Sequence, residues 1–324
     1  MSECNDSGHY NYNISNNCTQ YAYENPNSFV AEFQLGGSEW KRTLVGTAHC
    51  FGYMLGLLVV GPLSDKFGRR DIIVATAIFC GIFGLAKSFS PWYWLYIALE
   101  FTEAAIGDSC SPTYIFVTEL VSRNHRINFI LICTFGFVFG GLTLALSAWL
   151  VPYWRYLLRV VYTPVLLFVA YKFILIESPR WLFNNGRKQE AISLLEKIAK
   201  KTKVKIDKDS LEMITFEDPK EVVFMQILKN TFKSKLLRRR FFVCLSWWIT
   251  STFVNYGLAI NSVLLQGNKY LNYAFVILME IPGYFILAYV LNNFKRKLPL
   301  IFGFFIAGIL CISQPFIPLY GQLL

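Results

Sequence analysis

Eight long apolar segments constrain this sequence more than any other feature. They lie at residues 43–62, 72–90, 92–118, 127–151, 156–176, 241–266, 270–292 and 298–320. Each has about 19 to 27 residues, which is enough helix to cross ~30 Å of hydrocarbon. Charged residues make up only 16% of the chain, whereas soluble domains carry about 25%. The sequence therefore predicts an all-α membrane protein with about eight transmembrane helices.

The basic residues are unevenly divided between the two sides of the predicted membrane. Of the 31 Lys and Arg residues, 24 lie in four polar stretches on one side, at 64–71, 122–127, 177–240 and 293–298. Five lie on the other side, namely Lys41, Arg42, Lys87, Arg155 and Lys269. Loops rich in Lys and Arg stay in the cytoplasm, so the four stretches are predicted to be cytoplasmic. The net charge of +10 then reflects orientation in a lipid bilayer and not binding to nucleic acid.

This orientation divides the chain into four parts. Residues 1–42 form a polar extracellular stretch, and residues 43–176 carry the transmembrane helices of an N-terminal half. Residues 177–240 form a long cytoplasmic loop, and residues 241–324 carry the remaining transmembrane helices. The loop contains apolar residues at helical spacing, which predicts short amphipathic helices within it.

The extracellular stretch carries signals of glycosylation. It contains three N-x-[ST] sequons, at Asn5, Asn13 and Asn17, together with Cys4 and Cys18. Clustered sequons beside cysteines indicate an oxidising compartment in which the asparagines receive glycans. We therefore predict that all three asparagines are glycosylated.

A charged turn links the first two apolar segments. It reads Gly61-Pro62-Leu63-Ser64-Asp65-Lys66-Phe67-Gly68-Arg69-Arg70. A turn of about ten residues between long apolar segments predicts a tight hairpin of two membrane-spanning helices. Gly61 and Gly68 permit backbone shapes and close approaches that a side chain would forbid. Asp65 can accept a bidentate hydrogen bond from an arginine.

This turn resembles the signature loop of the major facilitator superfamily, G-x-L-[SA]-D-[RK]-x-G-R-[RK]. Further stretches are similar to organic cation and carnitine transporters of the insect type. They are Ser28–Phe33, Thr118–Val121, Glu177–Leu182, Trp247–Leu258 and Glu280–Tyr284. The resemblance covers nearly the whole chain, although sugar porters share the signature loop and the Glu177–Leu182 motif.

The resemblance implies a fold of twelve helices in two halves. Laid on that fold, this chain begins in the loop after helix one and ends within helix nine. We therefore expect a partial major facilitator fold that lacks helix one and helices ten to twelve. The translocation cavity of the family is lined largely by helices one, four, seven and ten.

Four places depart from the family pattern. The R-F-L-x-G stretch of helix four reads Leu99-Glu100-Phe101-Thr102-Glu103, so the charge at Glu100 is inverted. Asn255 replaces a frequent aromatic residue, and Ile176 replaces the first proline of the sixth-helix motif. The second signature loop is reduced to Asn293-Phe294-Lys295-Arg296-Lys297, which lacks its acidic residue and glycine.

Ionisable residues inside a bilayer are costly and are therefore functional candidates by default. Glu100, Glu103 and Asp108 fall on one broad face if residues 92–118 form a continuous helix. An acidic face toward a cavity would attract an organic cation. The alternative is that Glu100 and Glu103 pair with Arg159 or Lys172, and that Asp108 packs against Ser and Thr hydroxyl groups.

The family resemblance adds candidates from the other helices. Trp248 and Asn255 are seven residues apart and share a helix face, and Trp248 could hold a quaternary ammonium by cation–π attraction. The alternative for Trp248 is helix packing. The predicted substrate-binding set is Glu100, Glu103, Asp108, Tyr114, Trp248, Asn255, Tyr256 and Glu280.

A second predicted set lies at the cytoplasmic helix ends and would form a gate. It comprises Gly61, Asp65, Lys66, Gly68, Arg69, Arg70, Glu119, Arg126, Glu177 and Arg180. In the family such residues form ion pairs between helices that hold the outward-facing state and break on switching. The alternative is static anchoring of loops.

The sequence offers no motif for an enzyme. The histidines are His9, His49 and His125, none with a carboxylate or cysteine at metal-ligand spacing, and no G-x-S-x-G or phosphate loop is present. We therefore predict no catalytic residue, metal or cofactor.

The resemblance implies a secondary transporter of small organic cations or carnitine-like zwitterions, working by alternating access in the plasma membrane. One alternative is a sugar-porter-type transporter. Another is a non-transporting membrane protein that assembles with related transporters.

The first testable prediction concerns this topology. Glycosidase treatment should shift the gel mobility of the expressed protein, and Asn5→Gln, Asn13→Gln and Asn17→Gln together should abolish the shift. The reason is that the charge distribution places residues 1–42 outside. A glycan attached at an engineered sequon near Lys201 would contradict the topology.

Overall fold

The computed structural model describes residues 23, 25–122, 125–202, 224–264, 267–293 and 297–313. Throughout this described part, all regular secondary structure is helical. Two compact units can be distinguished. The first unit comprises Met1–Leu120 and Leu150–Pro219, and the second comprises Val121–Trp149 and Lys220–Leu324. The sequons at Asn5, Asn13 and Asn17 lie outside the described residues.

The described helices are named here in chain order. The first five are α1 (Phe29–Glu32), α2 (Glu39–Phe67), α3 (Arg69–Lys87), α4 (Tyr93–Ile106) and α5 (Cys110–Leu120). The next are α6 (Arg126–Leu150), α7 (Trp154–Tyr162), α8 (Tyr171–Ile174), α9 (Pro179–Asn184) and α10 (Lys188–Thr202). A 3₁₀ helix, Pro164–Ala170, joins α7 to α8. The last are α11 (Phe224–Lys233), α12 (Lys235–Leu264), α13 (Lys269–Leu278), α14 (Glu280–Asn293) and α15 (Lys297–Ser313).

The connection between α2 and α3 is much shorter than the predicted ten-residue turn. Helix α2 continues to Phe67 and α3 begins at Arg69, so only Gly68 lies between them. Gly68 has φ +110°, a conformation that residues with a side chain rarely adopt. A Cβ atom there would also lie 2.6 Å from Oε2 of Glu177. Gly61 instead lies inside α2 with open space around its Cα, so its predicted role in the turn is wrong.

Helices α2 and α4 approach each other closely because two glycines of α2 face the backbone of α4. A Cβ atom at Gly52 would lie 2.5 Å from the carbonyl oxygen of Phe101. A Cβ atom at Gly56 would lie 2.5 Å from the carbonyl oxygen of Ala105. Small residues one helical turn apart allow this contact between membrane helices. The approach brings residues of α2 within reach of the acidic residues of α4.

The predicted segment 92–118 is not one continuous helix. Helix α4 ends at Ile106 and α5 begins at Cys110. Oδ1 of Asp108 accepts hydrogen bonds from the backbone N–H groups of Cys110 (3.0 Å) and Ser111 (3.3 Å). A side-chain oxygen that satisfies the first N–H groups of a helix favours a new helix start. The projection that placed Asp108 on one face with Glu100 and Glu103 is therefore wrong, because it assumed an unbroken helix.

Five helical stretches of the described residues are long and apolar enough to cross a membrane. They are Glu39–Phe67, Asn128–Leu150, Trp154–Ile174, Lys235–Ile260 and Lys269–Val290. Of the other three predicted segments, one corresponds to α3, which carries charges at both ends, one is broken between α4 and α5, and one overlaps α15. Large apolar side chains such as Phe173, 85% exposed, point away from the protein, as lipid-facing residues do. The structure confirms the predicted all-α membrane fold.

In the second unit, α12 contacts both α11 and α13, and α13 contacts α14. Helix α6 joins this unit through ring contact between Phe135 and Phe285, with centroids 5.8 Å apart. The ring of Trp247 on α12 stacks on Phe304 of α15 at 6.3 Å. Aromatic packing therefore connects helices that are distant in the sequence.

The close approach of α2 and α4 generates a stability prediction with a matched control. Gly56→Ala should lower the free energy of unfolding by about 1–3 kcal/mol, because the added methyl group meets the backbone of α4. Gly61→Ala, the same change on the same helix in open space, should be neutral or stabilise by about 0.5–1 kcal/mol through helix propensity. Unfolding of detergent-solubilised protein followed by tryptophan fluorescence measures both. Equal effects at the two positions would contradict this packing.

Candidate functional site

A buried ion cluster lies in the first unit where α2, α3, α4 and α7 meet. Its centre is the ammonium group of Lys87, the last residue of α3, whose side chain is only 2% exposed. The ammonium lies 2.8 Å from Oε2 of Glu100 and 3.0 Å from Oε2 of Glu103, both on α4. Side chains of a helix tilt toward its N-terminus, so Lys87 at the C-terminal end extends back into the membrane region and not outward. We call these residues, with His49 and Tyr162, the Lys87 cluster.

Other polar groups complete the hydrogen bonding of the cluster. Nδ1 of His49 on α2 lies 2.8 Å from Oε1 of Glu100. The hydroxyl of Tyr162 on α7 lies 3.2 Å from the Lys87 ammonium, and its ring centroid is 5.0 Å away. Sγ of Cys80 donates to Oε1 of Glu103 at 3.2 Å. Buried charges are tolerated only when they are paired and hydrogen-bonded in this way.

The cluster corrects the expected partners of the two glutamates. We expected Arg159 or Lys172 as the alternative to a substrate cation, and the structure shows Lys87 instead. The guanidinium of Arg159 lies over the ring of Phe89 at 4.3 Å and donates to Oγ of Ser88, and Lys172 is exposed. The charge distribution assigns Lys87, near the end of the predicted segment 72–90, to the extracellular side. Sequence position gave no sign that its side chain turns inward.

The oxygen and nitrogen atoms of His49, Glu100 and Glu103 lie within 4.8 Å of one another, a spacing that a metal ion could use. The ammonium of Lys87 already contacts both carboxylates, and its positive charge would repel a metal ion. We therefore assign no metal to these residues.

The remaining predicted substrate residues do not join the Lys87 cluster. Oδ2 of Asp108 is buried and has no hydrogen-bond partner in the described part of the chain. Tyr114 on α5 is exposed. In the second unit, α12 is continuous over both Trp248 and Asn255. Trp248 is 74% exposed, and Asn255, Tyr256 and Glu280 are exposed as well.

A second ion cluster surrounds Arg69, the first residue of α3, in the first unit. The Nη2 atom of Arg69 lies 2.6 Å from Oδ1 of Asp65 and 3.4 Å from Oε1 of Glu119. Its Nη1 atom donates to Oγ of Ser64 at 3.0 Å. Oγ of Ser178 donates to the other oxygen of Glu119 at 2.6 Å. This Arg69 cluster therefore joins α2, α3 and α5 to the residue that caps α9.

Glu177 completes the Arg69 cluster by capping α3. Its Oε1 atom accepts hydrogen bonds from the backbone N–H groups of Arg69 (3.1 Å) and Arg70 (3.2 Å). A carboxylate at a helix N-terminus satisfies free N–H groups and complements the helix dipole. The indole N–H of Trp181 also donates to the backbone oxygen of Asp65 at 2.7 Å. The absence of a side chain at Gly68 is what admits Glu177 to this position.

The structure brings together Asp65, Gly68, Arg69, Glu119 and Glu177 of the predicted gate residues. The backbone N–H of Arg70 also donates to Glu177, while its side chain pairs with Asp71. The remaining members lie apart from these contacts: Gly61 lies within α2, Lys66 lies over the ring of Phe67, and Arg126 and Arg180 are exposed. Sequence reasoning missed Ser64 and Ser178 as partners. Ser178 begins a Ser-Pro pair at the start of α9, a recognisable N-cap signal, but no local signal links it to Glu119.

A third cluster, which sequence reasoning missed, ties α1 to α7. Glu32 accepts hydrogen bonds from Arg155 (2.8 Å) and from the indole of Trp154 (2.6 Å). Partial burial opposes ionisation of Glu32, but the hydrogen bonds from Arg155 and Trp154 hold the pKa of its carboxyl below the ordinary value. This contact therefore stabilises the folded state fully at pH values above the ordinary pKa of a carboxyl group. Its contribution is lost as the pH falls through the lowered pKa of Glu32.

The Lys87 cluster generates a mutational prediction. Lys87→Met should lower the free energy of unfolding by about 3–5 kcal/mol, because it leaves two buried carboxylates without their ammonium. Adding Glu100→Gln and Glu103→Gln to that variant should recover most of the loss. Lys200→Met, at an exposed lysine, is the control. Chemical unfolding in detergent measures all four proteins, and equal stability of Lys87→Met and Lys200→Met would contradict the assignment.

Comparison with known proteins shows which family this chain resembles. The sequence matches the family described as sugar (and other) transporter over residues 6–320. The organic cation transporter protein of Drosophila melanogaster is 30% identical over 321 residues, covering 94% of this chain and 58% of the relative. Solute carrier family 22 member 1 of Bos taurus is 30% identical over 305 residues, covering 93% and 54% respectively. The chain thus spans about half the length of the curated relatives it matches.

A solved structure agrees with the fold. The xylose transporter XylE from E. coli, in a partially occluded inward open conformation, matches with a TM-score of 0.51 at 18% identity. The match covers 84% of this chain and 67% of that chain. At this identity the likeness concerns the fold alone. The family match over nearly the whole sequence and the shared helical fold lead to one conclusion: this chain belongs to the sugar (and other) transporter family of the major facilitator superfamily and is a multi-pass membrane protein.

Proposed function

We propose that the protein is a secondary transporter that moves small organic cations or carnitine-like zwitterions across the plasma membrane by alternating access. The observation that carries this proposal is the Arg69 cluster, whose ion contacts and hydrogen bonds join separate helices at the signature loop. The relatives named organic cation transporter and solute carrier family 22 support the substrate class. Residues 1–42 are then extracellular and residues 177–240 cytoplasmic.

The Arg69 cluster has the properties expected of a gate. Arg69 and Glu119 are largely desolvated, with 10% and 11% of their side chains exposed, so their contact is worth more than a surface ion pair. It joins α3 to α5, and Ser178 joins α5 to α9. Any movement of α5 or α9 away from α3 must break these contacts. A two-state contact of this kind biases a conformational equilibrium without touching substrate.

Substrate contacts are proposed for the exposed residues of the predicted set. Trp248 and Tyr256 present aromatic faces that can hold an ammonium group by cation–π attraction, and Asn255 and Glu280 can add polar contacts. Tyr114 is the corresponding candidate on α5. For Glu100, Glu103 and Asp108 we propose an indirect electrostatic role. The two glutamates already pair with Lys87, and Asp108 caps α5.

Two other functions are distinguishable by experiment. The family description, sugar (and other) transporter, makes a sugar the second candidate substrate. The third candidate is a non-transporting protein that assembles with related transporters. Neither candidate agrees with the name organic cation transporter, which one relative that matches 94% of this chain carries.

Uptake of labelled tetraethylammonium, carnitine and xylose tests the substrate class. Cells expressing the protein from its native transcript should accumulate the cation or carnitine above the vector control and should not accumulate xylose. An excess of unlabelled cation should compete. Xylose uptake without cation uptake would favour the sugar porter. If the protein is shown to be at the cell surface and none of the three compounds is taken up, the transporter proposal is contradicted.

The gate makes a separate prediction. Arg69→Ala and Asp65→Ala should leave surface expression largely intact and slow maximal uptake several-fold, because they remove contacts that bias the conformational states. The substrate concentration for half-maximal uptake should change little. Arg187→Ala, which removes an exposed arginine paired with Glu190, is the matched control. Weakened substrate affinity with unchanged maximal uptake would contradict the gate.

A further inference from the structure

The charges of the Lys87 cluster do not balance. Glu100 and Glu103 contribute two negative charges, and the ammonium of Lys87, in contact with both, contributes one positive charge. The three side chains are largely buried, with 11%, 8% and 2% exposed. An uncompensated charge in such an environment is costly, and a buried group commonly binds a proton to remove it.

Few described groups can supply the missing positive charge. The polar groups that face the cluster are Cys80 on α3, Tyr96 on α4, Tyr162 on α7 and His49 on α2. Of these, only the imidazole of His49 becomes positively charged on binding a proton. The two arginines of α7 are engaged elsewhere: Arg155 binds Glu32 and the backbone oxygens of Ser88 and Ser90, and Arg159 binds Oγ of Ser88.

His49 is placed both to neutralise the cluster and to exchange protons. Its Nδ1 atom lies 2.8 Å from Oε1 of Glu100, while Lys87 holds the other oxygen of the same carboxylate. Its side chain is 44% exposed, whereas the carboxylates behind it are almost enclosed. We propose that the Lys87 cluster is a proton-binding site that takes up one proton, held on His49 and shared with Glu100. The proton adds to the imidazole nitrogen, and no other bond is made or broken.

The geometry favours a proton over a larger cation. One added positive charge makes the sum of His49, Lys87, Glu100 and Glu103 zero, whereas a divalent metal would leave an excess positive charge. A metal or an organic ammonium would also have to displace Lys87 from its two carboxylates. The site lies among α2, α3, α4 and α7, apart from the Arg69 cluster, so protonation would act on the packing of these helices. The inference does not depend on what the protein transports.

The chain offers a direct spectroscopic test because it contains only three histidines. Full-length protein labelled with ¹⁵N-histidine in lipid nanodiscs gives ring nitrogen signals that distinguish imidazolium from neutral imidazole. His49→Asn assigns the His49 signal by its loss. At a pH about one unit above the ordinary pKa of histidine, His49 should be an imidazolium.

Charge-neutralising variants test the physical reason. Glu103→Gln removes the surplus negative charge, so His49 should become neutral at the same pH. Glu39→Gln, the same chemical change at an exposed position on α2, should leave His49 an imidazolium. A wild-type His49 that is neutral, or a His49 signal indifferent to Glu103→Gln, would overturn the proposal. Perturbation of the wild-type His49 signal by added Zn²⁺ at equimolar concentration would also overturn it in favour of a metal site. If Glu103→Gln fails to fold, the protonation state of His49 in the wild-type spectrum is by itself the test of the proposal.

Discussion

The contact of the Lys87 ammonium with the carboxylates of Glu100 and Glu103 is the constraint on which the first unit depends. Two acidic residues in one membrane helix would be prohibitively costly without a cation. Lys87 reaches them only because α3 ends beside α4 and because its side chain points back along its own helix. Replacing Lys87 leaves two buried carboxylates without their ammonium, so the positions of α3 and α4 are coupled.

The close contact of α2 with α4 extends the same constraint to a third helix. Gly52 and Gly56 let the two backbones approach, and this approach puts His49 within hydrogen-bond distance of Glu100. The N-terminal end of α3 is held by a different set of contacts. There Glu177 caps the helix, and Arg69 joins α2 to α5. Helix α3 thus carries a buried cation at each end, one set deep in the bundle and one at the predicted cytoplasmic surface.

Sequence reasoning recovered the parts of this arrangement that have local signals. The long apolar segments indicated membrane helices, and the ordered residues around Asp65 and Arg69 indicated the signature loop. Glu119 and Glu177 were identified through short motifs at helix ends. The apolar segments and the charge bias are signals of the local sequence pattern, whereas the signature loop and the motifs around Glu119 and Glu177 were recognised by their resemblance to a known family.

The parts that were missed depend on distance in space. Nothing near Lys87 shows whether a lysine at the end of an apolar segment points outward or inward, because the answer depends on α4. The break between α4 and α5 was missed because the apolar pattern continues through Gly107 and Asp108, and only the capping by Asp108 reveals it. The pairing of Glu32 with Arg155 joins residues that are 123 positions apart in the sequence. Such contacts follow from tertiary packing, which a single sequence does not specify.

Chemical labelling of lysines tests the central claim most directly. Reductive methylation of the folded protein in detergent, followed by peptide mass spectrometry, reports the accessibility of each ammonium group. If Lys87 is the internal cation of the first unit, it should stay unmodified while exposed Lys197 and Lys200 are methylated, and it should become reactive only after unfolding. Methylation of Lys87 in the folded protein at the rate of Lys200 would contradict the account.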